Sequence, residues 1–260
     1  MNNPIVILST STRSGSTWLQ RVLTSTGKVL VWGESNNFLY PFDDKVLSVV
    51  DPSSVSKEDL NCFQKQKAKM WMAHLQPFRA DVLQAQKNLV EEVYGKTAER
   101  EGYSRWGAKE TSWTEYIPQF VLSSWKEAQL VFLVRRFDDC FMSRFKDTNR
   151  ISFGNHEADV FLFAKRWYEQ TAWAWAYRLN PRCKVVRYED LKKPANMKLL
   201  LNWLNLGDPD LDQCSAPISA SGWQPWQDLR TFKPGDRDVM WEYRDRIRLM
   251  SNELGYETSI

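Results

Sequence analysis

The sequence predicts an α/β domain with a mostly parallel central sheet flanked by helices. Short apolar runs at 5–8 and 130–134 have the composition of strands buried on both faces. Other segments carry apolar residues at helical spacing. The two types alternate along the chain, the order that builds parallel sheets through crossover helices. No repeat, low-complexity run or linker interrupts the 260 residues, so a single domain over 1–260 is expected.

The elements follow in order. Residues 5–8 form the first strand. A polar turn leads into a helix marked by Trp18, Leu19, Val22 and Leu23, with Gly27 as its stop. Residues 29–32 are the second strand, and 41–58, rich in Pro, Asp and Ser, form a loop. Helices are expected over 59–73 and 79–94, the latter placing Val82, Leu83, Leu89, Val90 and Val93 on one face and ending at Gly95. A short strand at 106–109 precedes a helix over 114–126, capped by Ser112 or Thr114. Residues 130–134 are the clearest central strand, and a helix over 138–146 starts directly after it. A long helix over 157–179 leads to a strand at 185–188. Pro194 opens a helix through Trp203, as Pro does at a first turn. Residues 208–236 are loop-rich, and a last helix covers 237–253.

Composition narrows the function classes. With 43% hydrophobic and 26% charged residues the chain is neither collagen-like nor largely disordered. Its net charge of +3 gives no bulk electrostatic case for a nucleic-acid partner. No apolar stretch is long enough to span a membrane, and no secretory signal is visible. Cys62, Cys140, Cys183 and Cys214 are scattered without a CxxC pair, and only His74 and His156 could join them. No metal site is expected, and a reduced, cytoplasmic chain is. The 13 tryptophans suit an aromatic-lined cavity or simply an aromatic core.

The first turn carries the chemistry. Arg13-Ser14-Gly15-Ser16-Thr17 opens a helix directly after a buried strand. Amides at a helix start lack intrahelical partners, and the dipole there favours an anion. Gly15 permits close backbone approach, while Arg13, Ser14, Ser16 and Thr17 add donors. The spacing is not that of a Walker A loop, which needs GxxxxGK[ST]. After the central strand, Arg135 at the strand end and Ser143 on the following helix could grip one phosphate, although taken alone the segment reads rather as an arginine-rich strand end solvated at the surface.

Arg13-Ser14-Gly15-Ser16-Thr17-Trp18-Leu19 resembles the 5′-phosphosulfate loop of sulfotransferases that use 3′-phosphoadenosine 5′-phosphosulfate (PAPS). Arg135, Asp139 and Ser143 resemble that family's 3′-phosphate motif, with Phe137 standing where the family usually has Pro. Arg187-Tyr188-Glu189-Asp190-Leu191 before Pro194 resembles its strand-ending Tyr-Glu-Asp-Leu, although Asp190 could simply cap the next helix. Trp106-Gly107-Ala108-Lys109-Glu110 and Leu254-Gly255-Tyr256 resemble further landmarks. They fall in family order from residue 5 to residue 256. The Arg-Lys-Gly triplet of cytosolic members is absent from the C-terminal loop; Lys233 is the candidate substitute.

The resemblance implies a P-loop-like sulfotransferase architecture. It also implies metal-independent transfer of sulfonate from PAPS to a hydroxyl or amine, with 3′-phosphoadenosine 5′-phosphate (PAP) released. Arg13 and the loop would neutralise charge on the departing 5′-phosphate, and Lys109 would reach the transferring group. Arg135 and Ser143 would hold the 3′-phosphate. Trp18 would stack on adenine or serve the core. Glu34, after the second strand, is the first candidate for general base, followed by His74 and Glu110. A small-molecule acceptor is expected. Trp223-Gln224-Pro225-Trp226, with Glu34, Asp43 and Asp44, suggests an aromatic, acidic pocket suited to a cation. No nucleic-acid or membrane partner is implied, and the sequence does not choose an oligomeric state. Two other classes share the strand-turn-helix anion site: a P-loop kinase-like phosphotransferase and a non-catalytic nucleotide- or sulfate-binding module.

Overall fold

The structure is a computed structural model describing residues 3–34, 39, 65, 79–145, 156–210 and 241–257. Five parallel strands form one sheet: β1 (Ile5–Ser9), β2 (Val29–Trp32), β3 (Arg105–Glu110), β4 (Gln129–Val134) and β5 (Cys183–Arg187). Their spatial order is β2-β3-β1-β4-β5. The chain thus leaves β1 in one direction for β2 and β3, then returns to the other side of β1 for β4. This reversal makes the carboxyl ends of β1 and β4 a topological switch point, where open α/β sheets place ligands. The Thr10 amide donates to the Leu133 carbonyl at 3.1 Å and carries the β1–β4 pairing to the edge of that crevice.

Side-chain alternation assigns the two faces. Ile5, Ile7, Val29, Val31, Val131 and Leu133 pack beneath α1 (Ser16–Thr24) and the later helix Pro194–Trp203. Val6, Leu8, Trp106, Ala108, Leu130 and Phe132 face the other way, toward Phe120, Val121 and Trp125. All five β1 residues are buried, which explains why that strand reads as a continuous apolar run.

The helices differ from expectation in instructive ways. The helix beginning at Arg79 does not end at Gly95: α2 (Arg79–Val90) passes through a π-helical turn at Glu91–Gly95 into α3 (Lys96–Arg100). Gly95 keeps helical backbone, and a Cβ there would meet Trp106 Cδ1 at 3.4 Å. That is ordinary contact, and Gly95 does not terminate the helix. Helix α4 (Tyr116–Ser124) starts after Glu115 without a side-chain cap, so neither Ser112 nor Thr114 caps it. Helix α5 (Phe137–Phe145) follows β4, and α6 (His156–Ala176) is the long helix. Strand β5 ends at Arg187, and Tyr188 opens the short helix α7 (Tyr188–Leu191). Helix α8 (Pro194–Trp203) begins at Pro194 but has no side-chain cap. Asp190 instead pairs with Arg187 at 2.6 Å and Lys193 at 3.2 Å, correcting the capping role expected of it. The expected helix over 59–73 lies outside the described residues apart from Lys65. Helix α9 (Trp241–Glu253) packs on α6.

Candidate active site

The β1–α1 turn is built around backbone that most residues avoid. Gly15, the residue before α1, has φ +90°, and a Cβ there would lie 2.3 Å from Tyr188 Cε2. Both conditions require glycine. Arg13 also has positive φ, 67°, a strained state for a side chain of its size. Hydrogen bonds hold the turn: Ser9 Oγ donates to the Ser11 carbonyl at 2.8 Å and is in contact with Ser14 Oγ, and Trp113 Nε1 donates to the Ser9 carbonyl at 2.8 Å. The Leu19 amide donates to the Gly15 carbonyl at 3.1 Å. The amides of Ser16, Thr17 and Trp18 precede it in the first turn, where no intrahelical acceptor is available.

The fold brings the segment 13–17 and the Arg135–Ser143 segment together. Arg13 Nε donates to Ser143 Oγ at 3.0 Å, and Arg135 donates to the Arg13 carbonyl at 2.8 Å. Residues more than 120 positions apart therefore meet at the switch point. The Arg135 guanidinium lies 4.9 Å from the Tyr188 ring centroid, over the face of the ring. Trp18 meets the same ring edge-on at 5.7 Å. Arg135 Nε is buried without a hydrogen bond, because Asp139 Oδ2 stands 3.9 Å away. A buried guanidinium donor without a hydrogen bond beside a glycine-permitted helix start suits an anion.

Tyr188 and Trp167 are the residues whose part here the sequence did not disclose. Tyr188 fills the space that Gly15 leaves open. The Tyr-Glu-Asp-Leu pattern located Tyr188 in the chain, but only the fold puts its ring under the loop. Trp167 Nε1 donates to the Arg135 carbonyl at 3.1 Å, fixing the strand end. Phe137, at the position of the expected Pro, is fully buried against Phe141, Phe163 and Trp167. Aromatic packing anchors the start of α5 in place of a restricted turn.

On the neighbouring strands, Lys109 Nζ and Glu34 Oε1 are 2.6 Å apart. The Lys109 side chain is 5% exposed and that of Glu34 49%, so a buried cation is neutralised by a carboxylate open to solvent. Lys109 pairs in register with Ile7 and shares its face of the sheet. Glu110, the adjacent residue, is buried on the opposite face. This separates it from the Lys109–Glu34 pair. His74, Lys233, Asp43, Asp44 and Trp223–Trp226 lie outside the described residues, as does the side chain of His156.

Burial pushes the thiols of Cys140 and Cys183 up to about 12. Among the described residues no helix is long and apolar enough to cross a membrane, and no cluster of His, Cys, Asp and Glu could hold a metal ion.

The model of the family described as "Sulfotransferase family" matches residues 4–210. No curated protein sequence matches the chain. Among solved structures, the sulfotransferase domain from the curacin biosynthetic pathway superposes with a TM-score of 0.59 at 18% identity, covering 99% of both chains. The sulfotransferase domain of the Synechococcus PCC 7002 olefin synthase gives 0.50 at 17% identity, covering 99% of this chain and 96% of the other. A sulfotransferase from Alicyclobacillus acidocaldarius gives 0.52 at 12% identity, covering 98% and 97%. At these identities the superpositions establish the fold.

Proposed function

The chain belongs to the sulfotransferase family, and on that premise we propose that it moves a sulfonate group from PAPS to a hydroxyl or amine of a small-molecule acceptor, releasing PAP. The observation that carries this reading is the junction of Arg13, Arg135 and Ser143 over Tyr188. A site for a nucleotide with both a 5′ and a 3′ phosphate needs two anion grips side by side, and the proximity of Arg13, Arg135 and Ser143 supports assigning them that part.

When bound, PAPS supplies an activated sulfonate on a good leaving group. The protein's part is placement and charge. The loop amides at Ser16 and Thr17, with Ser14 and Arg13, hold the 5′ end. Arg135 and Ser143 hold the 3′-phosphate. Trp18 and Tyr188 form the aromatic wall for the base. Glu34 takes the proton that the acceptor's nucleophilic atom loses as its bond to sulfur forms and the sulfur–oxygen bond to the 5′-phosphate breaks. Lys109 orients Glu34 through their ion pair and adds positive charge beside β1.

Calorimetric titration of PAP and adenosine 5′-phosphate into the wild type, Arg135→Ala and Ser143→Ala tests the reading. A charge-assisted hydrogen bond contributes ~1.5–3 kcal/mol. Arg135→Ala is therefore expected to weaken PAP by about one to two decades while changing adenosine 5′-phosphate little. Ser143→Ala acts in the same direction, less strongly. Equal wild-type affinities for the two nucleotides overturn the assignment.

A further inference from the structure

A cavity of about 170 Å³ opens beside the β1–α1 loop. Its wall begins at Ser11 and Thr12 of the β1–α1 turn and Thr111 after β3, and continues along α6 through Leu162, Phe163, Arg166 and Gln170. Its size suits a compact molecule.

Charge and polarity describe the occupant. Two cations, Arg144 and Arg166, line the cavity against one carboxylate, Asp159. Arg166 is exposed and has no ion-pair or hydrogen-bond partner among the described residues. Leu162 and Phe163 give the wall an apolar strip. At the inner end Gln170 is 3% exposed. Its Nε2 donates to the Trp113 carbonyl at 2.9 Å, which fixes the amide orientation and leaves Oε1 buried without a donor. An unpaired buried acceptor is costly unless something supplies an N–H or O–H. The wall therefore asks for a molecule with an anionic group for Arg166, an apolar body, and a hydrogen-bond donor.

We propose that this cavity is the acceptor subsite and that the acceptor is a small hydroxy or amino compound bearing a carboxylate, with Arg166 as the residue that selects its charge. The proposal rests on the sulfotransfer reading for the word acceptor, but the selection of a carboxylate stands on the cavity alone. It replaces the cationic acceptor suggested by the sequence, whose aromatic and acidic residues other than Glu34 lie outside the described residues.

The test uses matched pairs differing only in charge: 4-hydroxyphenylacetate with 4-hydroxyphenylacetamide, 4-hydroxybenzoate with 4-hydroxybenzamide, and glycolate with glycolamide. Binding is measured by ligand-detected magnetic resonance on PAP-saturated and on nucleotide-free protein, for wild type, Arg166→Gln and Arg166→Lys. At least one acid is expected to bind wild type about tenfold more tightly than its amide, the effect of one charge-assisted contact. Arg166→Gln should erase that preference and Arg166→Lys keep part of it. PAP affinity, read on the same variants, reports that the fold and loop are intact. No acid outperforming its amide, or a preference that survives in Arg166→Gln, overturns the proposal. Failure of the protein to bind PAP overturns the sulfotransfer reading instead, and the acid–amide comparison on nucleotide-free protein still decides the cavity.

Discussion

At the scale of single residues, the loop after β1 concentrates unusual backbone at Arg13 and Gly15. Arg13 holds a positive φ and touches both halves of the site, through its side chain to Ser143 and its carbonyl to Arg135. Removing its guanidinium takes away a preorganised cation where charge develops, an effect typically of ~10²–10³ in rate. Arg13→Ala should lose turnover on that scale with its thermal melt nearly unchanged; near-normal turnover in a folded variant would count against the mechanism. Gly15 makes a different prediction. Its Cβ would stand 2.3 Å from Tyr188, so Gly15→Ala must push the ring away from Arg135. PAP affinity should fall in Gly15→Ala, and adding Tyr188→Ala should restore it only in part, because the φ of +90° still penalises alanine and the ring is lost from the wall for the base. Glu34 separates chemistry from nucleotide binding. Glu34→Gln should lower kcat far more than it weakens PAP, since a base acts on the acceptor; a parallel loss of both would make Glu34 a structural partner of Lys109 instead.

At the scale of elements, Arg187 is a clamp between β5, α7 and the end of α9. It donates to the Leu254 carbonyl at 3.0 Å and to that of Gly255 at 3.2 Å, and pairs with Asp190 at 2.6 Å. The hydrogen bond from Arg187 holds the Asp190 carboxyl below the usual carboxylate range, with Lys193 helping. A depressed folded-state pKa gives stability that is present above the unfolded pKa and lost as pH falls through the folded one. Arg187→Ala should therefore cost ~1–2 kcal/mol near neutral pH. The gap from wild type should narrow below about pH 4, where Asp190 begins to protonate even in the unfolded chain. Denaturant melts at pH 7 and pH 3 measure this, and an equal gap at both would remove Asp190 from the account. The strands were legible from sequence because β1 and β4 are buried on both faces and declare it as unbroken apolar runs. Their register and neighbours were not, since apolar runs do not encode order. The π-helical turn at Glu91–Gly95 was illegible for a related reason: Gly95 looks like a helix stop, yet its backbone stays helical into Lys96–Arg100. The donors Arg13, Arg135 and Ser143 were readable as motifs. Tyr188 and Trp167 acquire their roles only when the crossover folds them against the loop.

At the scale of the whole molecule, the site joins segments that follow three different strands of the sheet. The loop after β1, the start of α5 after β4, and α7 after β5 converge on Arg135 and Tyr188, with Trp167 of α6 behind them. Tyr256, beyond α9, donates to Glu189 at 2.7 Å, and burial with this bond raises its phenol above the ordinary tyrosine range. Glu189 in turn accepts from the Arg136 amide at 3.4 Å, so the C-terminal segment is linked to the strand end that carries Arg135. A ligand bound across this junction stabilises the native chain without stabilising the unfolded one. At a hundred times its dissociation constant it contributes ~2.7 kcal/mol. With about 2–4 °C per kcal/mol for a chain of this size, PAP should raise the Tm by roughly 5–10 °C. Adenosine 5′-phosphate at the same concentration should raise it less, because it leaves Arg135 unengaged. In Arg135→Ala the two nucleotides should give nearly the same small shift. Differential scanning calorimetry over a PAP concentration series checks all three. A PAP shift that survives Arg135→Ala would place the 3′-phosphate elsewhere and make the meeting of the two motifs a feature of packing rather than of recognition.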